Sequence, residues 1–171
     1  MNTKPLVFFA CVILLIAYAL HSGVASETPL IRKGSKAPDF SVKTAEGQRV
    51  SLKDFEGNVV FINFWRTDCV PCAVEMPDME TVARAFKGRK FHMMPISLDI
   101  DSSEVSRFYS DHKLTMPAYL DPGLNVASRY DILGTPETFI IDSEGTVAQY
   151  YIGPQKWASP EMLARLEKLI P

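Results

Sequence analysis

The sequence predicts an α/β fold, a central mixed sheet with helices on both faces and an N-terminal β-hairpin. Three observations carry that expectation. Val59 to Trp65 is a nearly unbroken apolar run, the pattern of a strand buried on both faces. Beyond it, counting from Cys72, apolar side chains recur at Met76, Met79, Ala83 and Phe86, one stripe of a 3.6-residue repeat. Strand-like and helix-like stretches then alternate until a closing hairpin and helix.

Composition narrows the class further. A chain of 171 residues has room for one domain and a short appendage. Its 47% apolar content supports a real core and excludes a disordered chain. A net charge of −2 gives no electrostatic reason to expect nucleic acid. The appendage is N-terminal. Lys4 precedes an apolar run from Leu6 to Leu20, and His21 and Ser22-Gly23-Val24-Ala25-Ser26 follow. This is the layout of an export signal cut after Ala25 or Ser26. The run is shorter than the roughly 20 residues a spanning helix prefers, although Pro5 and Ser22 to Val24 could extend it. Residues 1–26 are therefore expected to be a signal peptide or membrane anchor, with Cys11 inside it. Residues 27–171 are expected to form one domain outside the cytoplasm, periplasmic or on the outer face of the cytoplasmic membrane, touching membrane only through that segment.

Taken in order, alternating apolar positions around Glu46-Gly47 predict a hairpin from about Ser41 to Leu52. The buried strand follows, then a helix from about Cys72 to Phe86 that Pro77 should kink. Phe91 to Leu98 reads as a second buried strand, and Ser103 to His112 as a helix with Ser102 or Ser103 as N-cap. Met116 to Leu120 is expected to be a short strand and Leu124 to Tyr130 a short helix. Glu137 to Asp142 and Val147 to Ile152 form a hairpin around Ser143-Glu144-Gly145. The last helix takes Ser159 as N-cap and Pro160 at its first position, with Met162, Leu163, Leu166, Leu169 and Ile170 inward.

The chemistry sits where the first strand meets its helix. Cys69 falls at the helix mouth, where free N–H groups and the helix dipole favour thiolate, and Cys72 lies one turn in. An exported domain with only these two cysteines is not disulfide-stapled, because closing so short a loop stabilises little. A zinc site would need two more ligands, and His92 and His112 are not spaced to supply them. No metal or other cofactor is expected; the Cys69–Cys72 pair itself carries the electrons.

Ala37-Pro38-Asp39-Phe40, Cys69-Val70-Pro71-Cys72 with Glu75 and Pro77, and Gly134-Thr135-Pro136-Glu137-Thr138-Phe139 together resemble the thioredoxin superfamily. More closely they resemble its TlpA/ResA/CcmG group of exported thiol–disulfide oxidoreductases. The resemblance covers about residues 34 to 170. It implies a thioredoxin-like fold, a cis Pro136 beside the dithiol, and a substrate groove at Thr135, Pro136 and Glu137. It implies apocytochrome c as substrate among disulfide-bonded exported proteins, and a membrane-embedded thiol donor that regenerates the pair. The group usually has tryptophan where this chain has Asp68, an acidic neighbour expected to modulate Cys69 by disfavouring its thiolate.

Glu75 lies ~60° around the helix from Cys72, within the apolar stripe. It reads as a half-buried proton carrier or as a first-turn acid facing the dipole. The resemblance, in which a glutamate here influences the dithiol, favours the first. Glu137 is either a site residue or a strand-edge acid, a choice that burial decides. Asn63 reads as a hydrogen-bonded polar group of the core, and Trp65 and Trp157 as packing. The functional expectation is a protein-disulfide reductase. Two rivals are a non-catalytic peptide-binding module and a peroxiredoxin-like peroxide reductase. The second lacks its Pro-x-x-x-Thr-x-x-Cys site, since Ile62 and Arg66 stand where Pro and Thr should precede Cys69.

Overall fold

The computed structural model describes Ile31 and residues 33–171, so the expected signal or anchor lies outside the described residues. The elements run β1 (Ser41–Thr44), β2 (Arg49–Ser51), a 3-10 turn (Leu52–Phe55), β3 (Val59–Trp65) and α1 (Val70–Ala85). They continue with β4 (Phe91–Ser97), α2 (Ser102–Asp111), β5 (Tyr119–Leu120) and α3 (Asn125–Arg129). β6 (Glu137–Ile141), β7 (Val147–Ile152) and α4 (Pro160–Glu167) complete the domain. The strands form one sheet in the order β2-β1-β5-β4-β3-β6-β7. It is mixed, with β3 parallel to β4 and antiparallel to β6.

Every residue of β3 is buried because neighbours pair both its edges and helices cover both its faces. Its side chains alternate between two clusters. Val60, Ile62 and Phe64 pack with Phe40, Val42, Tyr130 and Phe139 and with Val126 of α3. Val59, Phe61 and Trp65 pack with Met76 and Met79 of α1, Val105 of α2 and Leu166 of α4. Each fully buried methionine of that stripe contributes about 2 kcal/mol of transfer free energy, an upper estimate. Asn63 is the polar member of the second face.

Three local expectations change. α1 begins at Val70, not Cys72, because Cys69 itself takes the N-cap; Pro71 is tolerated in the first turn, where no N–H partner is needed. α1 continues across Pro77. At α2 the N-cap is Asp101, not Ser102 or Ser103, since its carboxylate accepts from the Ser103 N–H at 2.8 Å. The strand expected from Met116 shrinks to Tyr119–Leu120. The Thr115 and Met116 N–H groups are taken by the buried Glu80 carboxylate, and Pro117 has none to give. At α4, Ser159 and Pro160 sit as expected, with the Ser159 Oγ accepting from the Met162 N–H.

Because Phe64 pairs with Glu137, the loop after β3 and the loop before β6 meet at one end of the sheet. Among the described residues no helix is long and apolar enough to cross a membrane.

Candidate active site

Cys69 is half-buried at the N-cap of α1, and its Sγ accepts from the Cys72 N–H at 3.2 Å. Cys72 is fully buried, and the two form a disulfide. The loop before β6 closes over them. The Thr135–Pro136 bond is cis, and the Thr135 carbonyl lies 3.5 Å from the Cys69 sulfur. One sulfur is open to a partner, and the other is shielded behind it.

Glu137 is 2% exposed, with neither oxygen free. Oε1 accepts from the Leu133 and Gly134 N–H groups at 3.0 Å each, and Oε2 accepts from the Tyr150 hydroxyl at 2.5 Å. It therefore fastens the loop that carries Thr135 and Pro136. Burial, and then the Glu137 carboxylate, push the Tyr150 pKa up, so the phenol stays a donor.

Glu75 is likewise 2% exposed, on the other face of the sheet. Its Oε1 accepts from Asn63 Nδ2 at 2.9 Å; its Oε2 accepts from the Gln155 N–H at 3.0 Å and from Trp157 Nε1 at 2.8 Å. Burial raises its pKa, the three donors oppose the rise, and Asp78 adds to it. No cation partners it among the described residues. Its helical position places it on the same buried side as Cys72.

Asp68 differs from expectation in one respect. Its side chain is 71% exposed and held by Arg66, with Nε to Oδ1 at 2.9 Å and Nη2 to Oδ2 at 3.4 Å. The Arg66 hydrogen bond lowers its pKa, and the guanidinium offsets its charge beside Cys69. The turn is fixed one residue earlier. Asp99 accepts from the Thr67 N–H and hydroxyl, and from the Ser97 hydroxyl at 2.7 Å.

An open depression of about 490 Å³ runs beside Cys69, lined by Thr67, Asp68, Val70, Val74, Phe108 and His112. Another, of about 400 Å³, lies at the opposite end of β3 by Val60, Phe55 and Asp142, away from the cysteines. His92 stacks on Phe55 and hydrogen-bonds with the Tyr119 hydroxyl, and burial drops its pKa to about 4. Among the described residues no three His, Cys, Asp or Glu side chains cluster to hold a metal.

Sequence reasoning missed Asn63 and Trp157 as partners of Glu75. An asparagine inside an apolar strand was a signal that something polar faces it; Trp157, 82 positions away, gave none. Trp65, read as packing, is fully buried against Phe108 and Tyr109.

Comparison with known proteins agrees with this geometry. The AhpC/TSA family profile matches residues 33–150. The thiol-disulfide oxidoreductase ResA of Bacillus cereus (strain ATCC 10987 / NRS 248) is 32% identical, over 98% of this chain and 99% of its own. ResA of Bacillus subtilis (strain 168) is 31% identical, over 90% and 88%. Among solved structures, the thioredoxin domain of a thiol-disulfide oxidoreductase from Bacteroides vulgatus superposes with TM-score 0.72 at 26% identity. That match covers 82% of this chain and 99% of that one.

Proposed function

The chain belongs to the AhpC/TSA family and is a thioredoxin-like thiol–disulfide oxidoreductase; on that premise we propose that it reduces disulfides of exported proteins. The observation that carries this reading is a half-exposed N-cap Cys69 disulfide-bonded to a fully buried Cys72, beside the Thr135 carbonyl.

In the reduced enzyme, Cys69 as thiolate attacks one sulfur of a substrate disulfide. That bond breaks, a mixed disulfide forms, and the freed substrate thiolate takes a proton from water. Cys72 then passes its proton to the Glu75 carboxylate and attacks Cys69. The second substrate sulfur leaves as a thiolate and takes that proton from Glu75, which returns to carboxylate as the enzyme keeps the Cys69–Cys72 disulfide. Two electrons and two protons have moved to the substrate. Thr135 and Pro136 offer backbone to an extended substrate strand, with Glu137 fixing their loop. Asp68, shared with Arg66, adjusts the rim of the site. The dithiol needs no further cofactor for this exchange.

The resemblance to the TlpA/ResA/CcmG group favours apocytochrome c as the exported substrate and a membrane-embedded thiol carrier as the electron source. The N-terminal pattern at 1–26 supports delivery across the membrane, either anchored or released by cleavage. The test is trapping in the native compartment. Cys72→Ala should accumulate mixed disulfides through Cys69, and Cys69→Ala should accumulate none. Equal trapping by both variants, or hydrogen peroxide consumption by the reduced protein, would reject this reading.

A further inference from the structure

Asn63 carries the one unresolved detail of the Glu75 cluster. Its Nδ2 donates to Glu75 Oε1 and to Thr138 Oγ1, both at 2.9 Å. Its Oδ1 is buried with no partner, in a residue that is fully buried. A buried acceptor left unpaired is costly, so the arrangement needs a reason.

The two oxygens of Glu75 are not equivalent. Oε2 faces the Gln155 N–H and Trp157 Nε1, groups that can only donate. A proton placed on Oε2 would have to displace one of them. Oε1 faces an amide, which donates from one end and accepts at the other. If the amide turns over, Oδ1 takes the place of Nδ2. It can then accept from a protonated Oε1 and from the Thr138 hydroxyl at once. In either orientation one end of the amide is paired twice and the other end is unpaired. Neither orientation is favoured by pairing alone, so the proton on Glu75 decides.

We propose that Asn63 is a positioning residue whose amide turns over as Glu75 gains or loses its proton, directing that proton to Oε1. This rests on the reading of Glu75 as the proton carrier for Cys72. The groups that face Glu75 are few. Asp78 comes from α1, Asn63 from β3, and Gln155 and Trp157 from the segment after β7, where Lys156 is exposed; Thr138 of β6 is joined to Glu75 only through Asn63, and Cys72 lies one helical turn before it. Glu137 is committed to the Leu133–Gly134 backbone and to Tyr150, on the other face of the sheet. Among the described residues, Asn63 is the side chain hydrogen-bonded to Oε1.

The test is a pH titration of the oxidised protein by NMR, following the Glu75 carboxyl carbon and the Asn63 side-chain amide together. The amide resonances should move with the carboxyl carbon, at the same midpoint. Glu75→Gln gives a sharper check. With its carbonyl oxygen retained by Trp157 and Gln155, its Nε2 stands at the Oε1 position and donates toward Asn63. The amide should then be held in the turned orientation, showing the low-pH resonances of the wild type at every pH. If the carboxyl carbon titrates while the amide stays fixed, or if Glu75→Gln shows the high-pH resonances, the inference about Asn63 is wrong on its own. If the carboxyl carbon never titrates, the proton-carrier reading fails and takes the inference with it.

Discussion

Two carboxylates flank the dithiol, and the structure gives them opposite surroundings. Asp68 stands one residue before Cys69, exposed to solvent and gripped by Arg66. Glu75 stands one turn beyond Cys72, buried, with three donors and, among the described residues, no cation. The first has its charge offset and screened by water and salt; any charge on the second sits in a low-dielectric interior where screening is weak. The lesson is that proximity in sequence to a reactive thiol does not rank influence. Burial and the sign of the partner do.

The largest difference should appear in stability. Glu75→Ala leaves Trp157 Nε1, the Gln155 N–H and Asn63 Nδ2 without their acceptor, and should cost about 2–4 kcal/mol in urea unfolding. Asp68→Ala breaks only an exposed pair and should leave the midpoint in place. A loss for Asp68→Ala as large as that for Glu75→Ala would undo the contrast.

The pH dependence should separate them next. The folded pKa of Glu75 is raised, chiefly by burial. The folded state therefore holds that proton more tightly than the unfolded chain does. This contribution is complete below the ordinary carboxylate range, near 4.3, and is lost as pH rises through the raised value. Asp68 has a lowered pKa and runs the other way, its contribution present above the ordinary range and lost on acidification. Glu75→Gln should thus flatten the decline in stability on the alkaline side of that range. Unfolding curves collected across pH check it, and an unchanged slope would count against a raised Glu75.

Trp157→Phe sharpens the comparison at intermediate size. It removes one donor from the Glu75 carboxylate and keeps most of the packing against Phe61 and Tyr151. A loss of about 1–3 kcal/mol is expected above the Glu75 pKa, and less below it, where the acid is neutral. The smallest effect belongs to Arg66→Gln. Freeing Asp68 should slow Cys69 alkylation slightly at low ionic strength, and 1 M salt should erase the change. A salt-insensitive change would mean that Arg66 acts through loop geometry.

Much of this was legible because it is local. β3, the cysteines at the mouth of α1 and the Ser159-Pro160 start of α4 are each written in a few adjacent residues. Arg66 beside Asp68 was also in plain view, but whether two side chains in a turn meet depends on the turn. What stayed hidden is long-range. Trp157 reaching Glu75, and Glu80 drawing the Thr115 and Met116 N–H groups out of a strand, are contacts that only the assembled sheet creates. Residue 137 marks the middle ground. Its motif pointed to the site, but its partners at Leu133, Gly134 and Tyr150 set it behind the loop.

The most direct measurement is the reduction potential of the Cys69–Cys72 pair as a function of pH, in the wild type, Glu75→Gln and Asp68→Asn. An ionised Glu75 disfavours thiolate in the reduced form and leaves the disulfide unaffected, so it makes the wild type the stronger reductant. Glu75→Gln should be less reducing by tens of millivolts, of which about 30 mV corresponds to 1.4 kcal/mol. The gap should open at pH values where Glu75 is ionised and the thiolate of the variant forms, and close below them. Asp68→Asn should track the wild type throughout. A Glu75→Gln curve that overlays the wild type, or an Asp68→Asn curve that departs from it further, would contradict the account.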